Sequence, residues 1–546
     1  MDLVKSKNLF HKINAYFILS VFCLFIFLPG INSIPVIDRD EAHFAQASRQ
    51  MLQTGNFFQI RFQEVTRFQK PPGINWLQAV SVKIFSNANS AKIWPYRIPS
   101  FLSALLAVLT CFFLAQRLVP AVSAAMIAAA ILGCSLLLVV EAHMAVIDAA
   151  LLLTVVLMQT GLWCIYQHNG ANGYERYWAW LFWLSMSVGI ALKGVTPLIG
   201  GLTILALCIQ DRNWRWLRRL YIGQGLILVL ILTFTWVILV SVAEHSNYLV
   251  EMINRDLLPK LKGGHESHGH LPLFHLAILP ITFWPGSLFL VPGILYAIRH
   301  RADQTIVFLL AWIIPNWIFF ELMPTKLPQY LLPIFPALAI LCALGIHHAL
   351  KTTVPSIYLR ILQLLWASMS ILGAVALSVL SYLLIEHFSL LDLLFLVCCS
   401  VLCACSVYWA WYNRGYIACT ILSGLTIIIY PLFFMVELPK IKAIWLTRTV
   451  VEYIDQSKIS AAKPLLVIGF AEPSLVFNLN TSLVKFTNNT AQELMANDPT
   501  RLALVDDQTF HKWLTQGNLL TTIASVRGYN YNKGRWIELF LVKQGG

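Results

Sequence analysis

Charge is what this sequence has least of. Only 12% of its 546 residues are Asp, Glu, Lys or Arg, and the 26 carboxylates are outnumbered by 39 cations. With 58% apolar residues and a mean hydropathy of +0.69, so little charge excludes both an ordinary soluble globular chain and a disordered one. Heptads, solenoid repeats and low-complexity tracts are missing too, which removes coiled-coil and repeat architectures. No CxxC stands beside a His, so the eleven cysteines, nearly all inside apolar runs, read as small buried hydrophobes and not as a zinc or disulfide framework. A net charge of +13 would suggest nucleic acid in a soluble protein. Here many cations sit in short loops between apolar runs, so they read as topology signals and partners of membrane lipids, with no nucleic acid implied.

What the chain has in quantity is long apolar runs. A bilayer crossing takes roughly 17–25 mainly apolar residues, and about thirteen segments qualify, so the expected class is a polytopic α-helical membrane protein. The first run, Ile13 to Leu28, follows Lys5, Lys7 and Lys12 and lacks a small-x-small cleavage site, so it reads as a retained span. Two short runs between Tyr177 and Ile209 meet at Lys193-Gly194. With the N-terminus inside, alternation puts Arg117, Arg176, the cluster from Arg212 to Arg219, Arg299, Arg301, Lys351, Arg360 and Arg414 on one face, as cationic inner loops require. Two long loops are left on the outer face, 31–97 and 243–271. The chain is expected to divide into a transmembrane unit, 1–436, that carries these outer loops, and a soluble tail, 437–546.

In the first outer loop "EAHFAQASRQMLQTG" has helical spacing and stops at Gly55. "QKPPGINWLQAVSVKIF" predicts a second helix with Ile74, Trp76, Leu77, Val80 and Ile84 on its apolar side. Both are expected to lie in the outer interface. The tail alternates strand-like runs, "PLLVIGF", "SLVFNL", "RLALVDD" and "RWIELFLVK", with helical stretches such as "TAQELMAND". That predicts a small α/β domain of about a hundred residues.

Carboxylates at membrane depth are costly, which singles out a few. Asp40 and Glu41 open the first outer helix, where they would also suit the positive end of its dipole. Asp148 begins a span in "EAHMAVIDAALLL", with Glu141 and His143 one to two turns earlier. Lys70, Lys193 and Lys326 stand at outer ends of helices. Each alone is a snorkelling lysine, but three on the side of the carboxylates point to a phosphate. The stretch "GGHESHGHLPLFH" offers His265, Glu266, His268 and His270 to a metal, at a spacing that matches no standard zinc signature.

Four blocks in one order, "DRDEAHFAQASRQMLQTGNF", "RFQKPPGINWLQ", "ALKGVTPLIGGLT" and "FELMPTKLPQYLLPIFPALAIL", resemble the bacterial polyprenyl-phosphate-sugar glycosyltransferases of the GT-C fold. Within these the chain is similar to family 39/83 enzymes, including the lipid A aminoarabinose and galacturonosyl transferases. "EPSLVFNL" and "NYNKGRWIELFLV" extend the similarity into the tail. The resemblance implies a GT-C membrane domain and inverting transfer from an undecaprenyl-phosphate sugar. The acceptor would be lipid A, lipopolysaccharide or another envelope glycan or protein. It also implies a bacterial inner-membrane enzyme with active site and tail in the periplasm. Asp40 would be the catalytic carboxylate and Lys70 the ligand of the lipid phosphate. Lys326, with Arg97 or Lys193, would add charge for the departing phosphate, and Tyr330 belongs to the same block as Lys326. Glu41 would position sugar or helix, and Asp148 would line the same cavity. A histidine of the second loop, His268 or His270, would complete the site and could hold a divalent metal. One departure bears on that metal: Gln69 stands where the aminoarabinose branch typically has Glu. Two other readings stay open, a protein O-glycosyltransferase of the mannosyltransferase type and a lipid or sugar transporter. A transporter would show paired halves with broken helices in matching positions, which the sequence does not display.

Overall fold

The apolar runs fold into a bundle of helices, seen in a computed structural model that describes residues 2–167, 174–259, 272–349, 357–385, 390–456, 463–487, 491–498, 500–517 and 519–545. The first half of the bundle comprises α1 (Asp2–Phe27), α4 (Trp94–Leu118), α5 (Val122–Cys134) with α6 (Leu136–Ala142), α7 (Asp148–Gln167), α8 (Glu175–Leu192), α9 (Thr196–Asp211) and α10 (Ile222–Ala243). Among the described residues eight helices are long and apolar enough to cross a membrane, and ten if each of two bent pairs counts as one span. The protein is therefore a multi-span membrane protein, but the expected count of thirteen is not reached on this measure. The segments Ile13–Phe27 and Thr196–Asp211 form apolar helices that are shorter. Bends of 61° between α5 and α6, and of 110° between Phe274–Thr282 and Gly286–Arg299, interrupt two further runs. The bends support each other, because the Leu136 amide at the first donates to the Trp284 carbonyl at the second over 2.9 Å, so this backbone amide finds a protein partner.

On one side of the bundle lies the loop between α1 and α4. It folds as α2 (Asp40–Thr54), a short hairpin of β1 (Arg61–Phe62) and β2 (Val65–Thr66), and α3 (Gly73–Phe85). α2 begins with two acids, favourable at a helix N-terminus, and stops at Gly55, whose φ of +70° suits glycine. α3 buries the polar Asn75, Gln78 and Ser81 and exposes Leu77, Val80 and Ile84. Such a helix is inverted for water and suited to lipid on its outer side. Ile74 departs from the expected apolar side, being fully buried, while Asn75 and Gln78 bond to Ser48 of α2 and Gln78 also to the Ala145 carbonyl.

The last span continues to Lys440, and the tail then builds one five-stranded sheet. Its strands are β3 (Leu465–Ile468), β4 (Val484–Phe486), β5 (Leu502–Asp506), β6 (Leu520–Asn530) and β7 (Arg535–Gln544), in the order β4-β3-β5-β7-β6. β3 runs parallel to β4 and β5, while β7 is antiparallel to β5 and β6. The mixed α/β tail matches expectation with one correction: "SLVFNL" is not a strand but part of a helix, Pro473–Leu479. Proline in a first turn starts helices well, and Leu475, Val476 and Phe477 are all buried there.

This helix docks the tail on the outer loop. Phe477 shares a small apolar core with Val36, Ala42, Ala45 and Tyr96, and its carbonyl accepts from Arg49 over 2.8 Å. Around that core the Ser474 amide donates to Asp38, the Asp38 amide donates to the Tyr531 hydroxyl, Arg39 donates to the Asn532 carbonyl and Gln46 to Thr481.

Candidate functional site

The N-terminus of α2 is held from beneath by one ion pair. Arg97, fully buried on α4, donates from Nε and Nη2 to the two oxygens of Glu41, each over 2.8 Å. Its remaining donors go to the carbonyls of Ile31, Ile34 and Pro35, so all five N–H groups of a guanidinium are used. Glu41 also accepts from the Ile37 and Ala145 amides, which fills its four lone-pair positions. Arg97 was expected to add charge for a departing phosphate and Glu41 to position sugar or helix; in the structure the hydrogen-bonding positions of both are filled, and they fasten the turn after α1, α2, α4 and the segment before α7 to one another.

Asp40, one residue earlier, is exposed on the first turn of α2. His43, the next residue on that face, is pushed down to about 3 by burial, with the Arg67 cation adding to the effect, so it is neutral and offers Asp40 no charge. Asp40 is within electrostatic reach of Glu141, which neighbours a partly buried acid–base group. Lys193, in the break between α8 and α9, donates to Asp148 at the start of α7 over 3.0 Å, and its ammonium stands 4.9 Å from the centre of the Tyr330 ring, a cation–π arrangement. Glu141 lies within electrostatic reach of Asp148, Lys193 and Asp40 alike. The expected carboxylates Asp40 and Asp148 and the residues Lys193 and Tyr330 are thus brought into one neighbourhood, although their partners are far apart in sequence.

Lys70 reaches the same region by close packing. Gly73, which starts α3, sits against the Ala191 carbonyl so tightly that no Cβ fits, and this ties the Lys70-Pro71-Pro72 turn to a point two residues before Lys193. The Lys70 ammonium is 3.9 Å from Asp256, and the Tyr248 hydroxyl donates to the Lys70 carbonyl. Sequence reading missed Asp256 and Tyr248; an acid in the second outer loop was the only available signal. Lys326 is buried, at 4% exposure, in the connection that leads to Tyr330. His268 and His270, with His265 and Glu266, lie outside the described residues. Among the described residues no three His, Cys, Asp or Glu side chains gather as a metal site, and the buried Oε1 of Gln69 has no hydrogen-bond partner. No chemical step is assigned to a metal.

The whole architecture has a solved counterpart. ArnT from Cupriavidus metallidurans superimposes with a TM-score of 0.73 over 98% of both chains, at 18% identity. The fold is that of ArnT. A second ArnT structure, bound to undecaprenyl phosphate, gives 0.72 over 97% of this chain and 98% of that one, again at 18% identity. The archaeal oligosaccharyltransferase AglB from Archaeoglobus fulgidus shares the ArnT-like architecture more loosely, with a TM-score of 0.54 over 90% of this chain and 69% of its own, at 12% identity. In sequence, the undecaprenyl phosphate-alpha-4-amino-4-deoxy-L-arabinose arabinosyl transferase of Erwinia tasmaniensis is 30% identical over 320 residues, 57% of this chain and 55% of the relative. The enzyme of that name from Edwardsiella ictaluri is 28% identical over 342 residues, 61% and 59% of the two chains. The chain thus spans little more than half the length of the curated relatives it matches. A family model described as dolichyl-phosphate-mannose-protein mannosyltransferase matches residues 69–239, which hold Lys70, Asp148 and Lys193.

Proposed function

We propose that the protein is an integral membrane glycosyltransferase that moves a sugar from undecaprenyl phosphate to lipid A or lipopolysaccharide, in a modification of the aminoarabinose or galacturonic-acid type. The observation that carries this reading is the exposed Asp40, at the start of a helix locked by Glu41 and Arg97, within electrostatic reach of the same Glu141 as Asp148 and Lys193, in an ArnT-type fold. In the reaction the bond from the anomeric carbon to the phosphate oxygen breaks, its electron pair leaves with the polyprenyl phosphate, and an acceptor oxygen bonds to the anomeric carbon. Lys70 and Lys326 stabilise the charge that grows on the leaving phosphate, most effectively where water is scarce. Asp40 takes the proton of a hydroxyl acceptor or orients a phosphate acceptor that has none to lose. Attack opposite the leaving group inverts the anomeric centre. Active site and tail face the periplasm of a bacterial inner membrane, since the cationic short loops share the other side.

Mass spectrometry of lipid A from cells with and without the protein tests the proposal: a sugar-sized mass increment that depends on the protein supports it. Identical spectra, together with a protein-dependent glycoprotein, would favour the second reading, transfer to protein hydroxyls, to which the family match over residues 69–239 lends support. Consumption of a polyprenyl-phosphate sugar by purified protein in detergent, where no gradient exists, separates both from a transporter.

A further inference from the structure

The connection that carries Lys326 is irregular backbone buried in the protein. The helix Gln304–Leu322 ends at Met323, and a tight 3-10 turn, Pro328–Ile334, follows. Thr325 and Lys326 between them are 3% and 4% exposed. Pro324 and Pro328 remove two N–H donors from this stretch, so its pose depends on bonds from elsewhere. At its end the Leu327 carbonyl accepts from the Tyr330 amide over 3.1 Å and faces Nε2 of His275, also at 3.1 Å. His275 is fully buried in the helix Phe274–Thr282, and its Nδ1 lies 3.1 Å from Oε2 of Glu321. Because a carbonyl can only accept, the hydrogen on Nε2 is fixed. The contact with Glu321 then needs one further proton, on the ring or on the carboxyl. Among the described residues the other oxygen of Glu321 is buried without a hydrogen-bond partner, so the contact with His275 is the one that fixes this carboxyl group.

We infer that His275 and Glu321 are positioning residues, a buried pair that orients the Leu327 carbonyl and thereby holds Lys326 against the phosphate of the lipid donor. This rests on the role given to Lys326 above. Glu321 fixes the ring, the ring fixes the carbonyl, and the carbonyl belongs to the residue after the lysine. Neither side chain touches the lipid.

The experiment measures binding of undecaprenyl phosphate to the full-length protein in nanodiscs, with thermal melting of each sample in parallel. Lys326→Met should weaken binding by about tenfold or more, the size of one charge-assisted contact. His275→Ala and Glu321→Ala should each weaken it severalfold. Glu321→Gln, whose amide donates to Nδ1 and leaves Nε2–H for Leu327, should recover most of the loss seen with Glu321→Ala. In a Lys326→Met background His275→Ala and Glu321→Ala should cost nothing more, because the group they position is gone. Lower melting temperatures with unchanged affinity would overturn the inference, as would losses that add in full to that of Lys326→Met. Wild-type affinity in Lys326→Met would overturn the role of Lys326 and the inference with it.

Discussion

Asp40 and Glu41 are neighbours in the chain and opposites in the fold: Asp40 is exposed, while Glu41 has no accessible surface. The helix turn that presents one carboxylate outward directs the next one inward, where Arg97 takes both of its oxygens. Glu41 anchors the turn from which Asp40 is presented. The two should therefore respond to substitution in opposite ways.

Glu41→Gln or Arg97→Met leaves one member of a buried pair uncompensated, a loss of about 3–5 kcal/mol. Either variant should melt well below the parent in detergent, whereas Asp40→Asn should melt like the parent. A parental melting curve for Arg97→Met would show that the pair is not an anchor.

Asp40→Asn keeps the size of the side chain but removes its charge and basicity, so turnover should fall by roughly 10²–10⁴-fold. A steep loss governed by one essential base indicates a hydroxyl acceptor, and a milder loss that is flat with pH indicates a phosphate. Full activity at every pH would transfer the role to Asp148.

Tyr330 supports the Lys193 ammonium with its ring face. Tyr330→Phe keeps that face and should retain most activity. Tyr330→Leu discards an interaction of about 0.5–2 kcal/mol and should lower turnover by up to about thirtyfold. Equal losses in the two variants would mean that the hydroxyl matters and the ring does not.

Asp38, at the seam between outer loop and tail, is pushed up to about 7 by burial and by the nearby Glu472 carboxylate, against the pull of its bonds from Ser474. The folded seam thus favours the protonated acid. Its contribution to stability is complete below the ordinary value of 3.8 and is lost as pH rises through about 7. Melting temperatures should decline over that interval, and Asp38→Asn should remove the decline. A slope unchanged in Asp38→Asn would assign it to another group.

An alkaline phosphatase fused near Lys440, where the last span ends, should be active if the tail is periplasmic. An inactive fusion, with an active cytoplasmic-type reporter at the same place, would reverse the topology.

The elements that could be read from the sequence are those whose cause is local. α2 was readable because acids open it and Gly55 closes it, and the break at Lys193 because two apolar runs meet there. Partnership was not readable. Arg97 reads like any cation beside an outer cavity, and only the fold reveals that its acid lies 56 residues earlier; the same holds for Lys193 and Asp148, 45 residues apart. In the tail, a short apolar run such as "SLVFNL" has too few residues to reveal its period. β6 went unread because only three of its eleven residues are buried and the apolar signal is thin. His275 and Glu321 gave no signal, since a lone His and a lone Glu acquire meaning only from the contact between them.

The seam between the tail and the outer loop has a consequence for how the protein is made. Asp38, Arg39, Gln46 and Arg49 are among the first polar residues synthesised after α1, yet their partners are Ser474, Tyr531, Asn532, Thr481 and Phe477. A ribosome adding about 5–20 residues per second needs tens of seconds to supply them. Throughout that interval the loop that bears Asp40 lacks these bonds. The finished loop therefore arrives late, with the closing strands of the tail, and a chain cut short before Ser474 would lack it even though the span ending at Lys440 is already made.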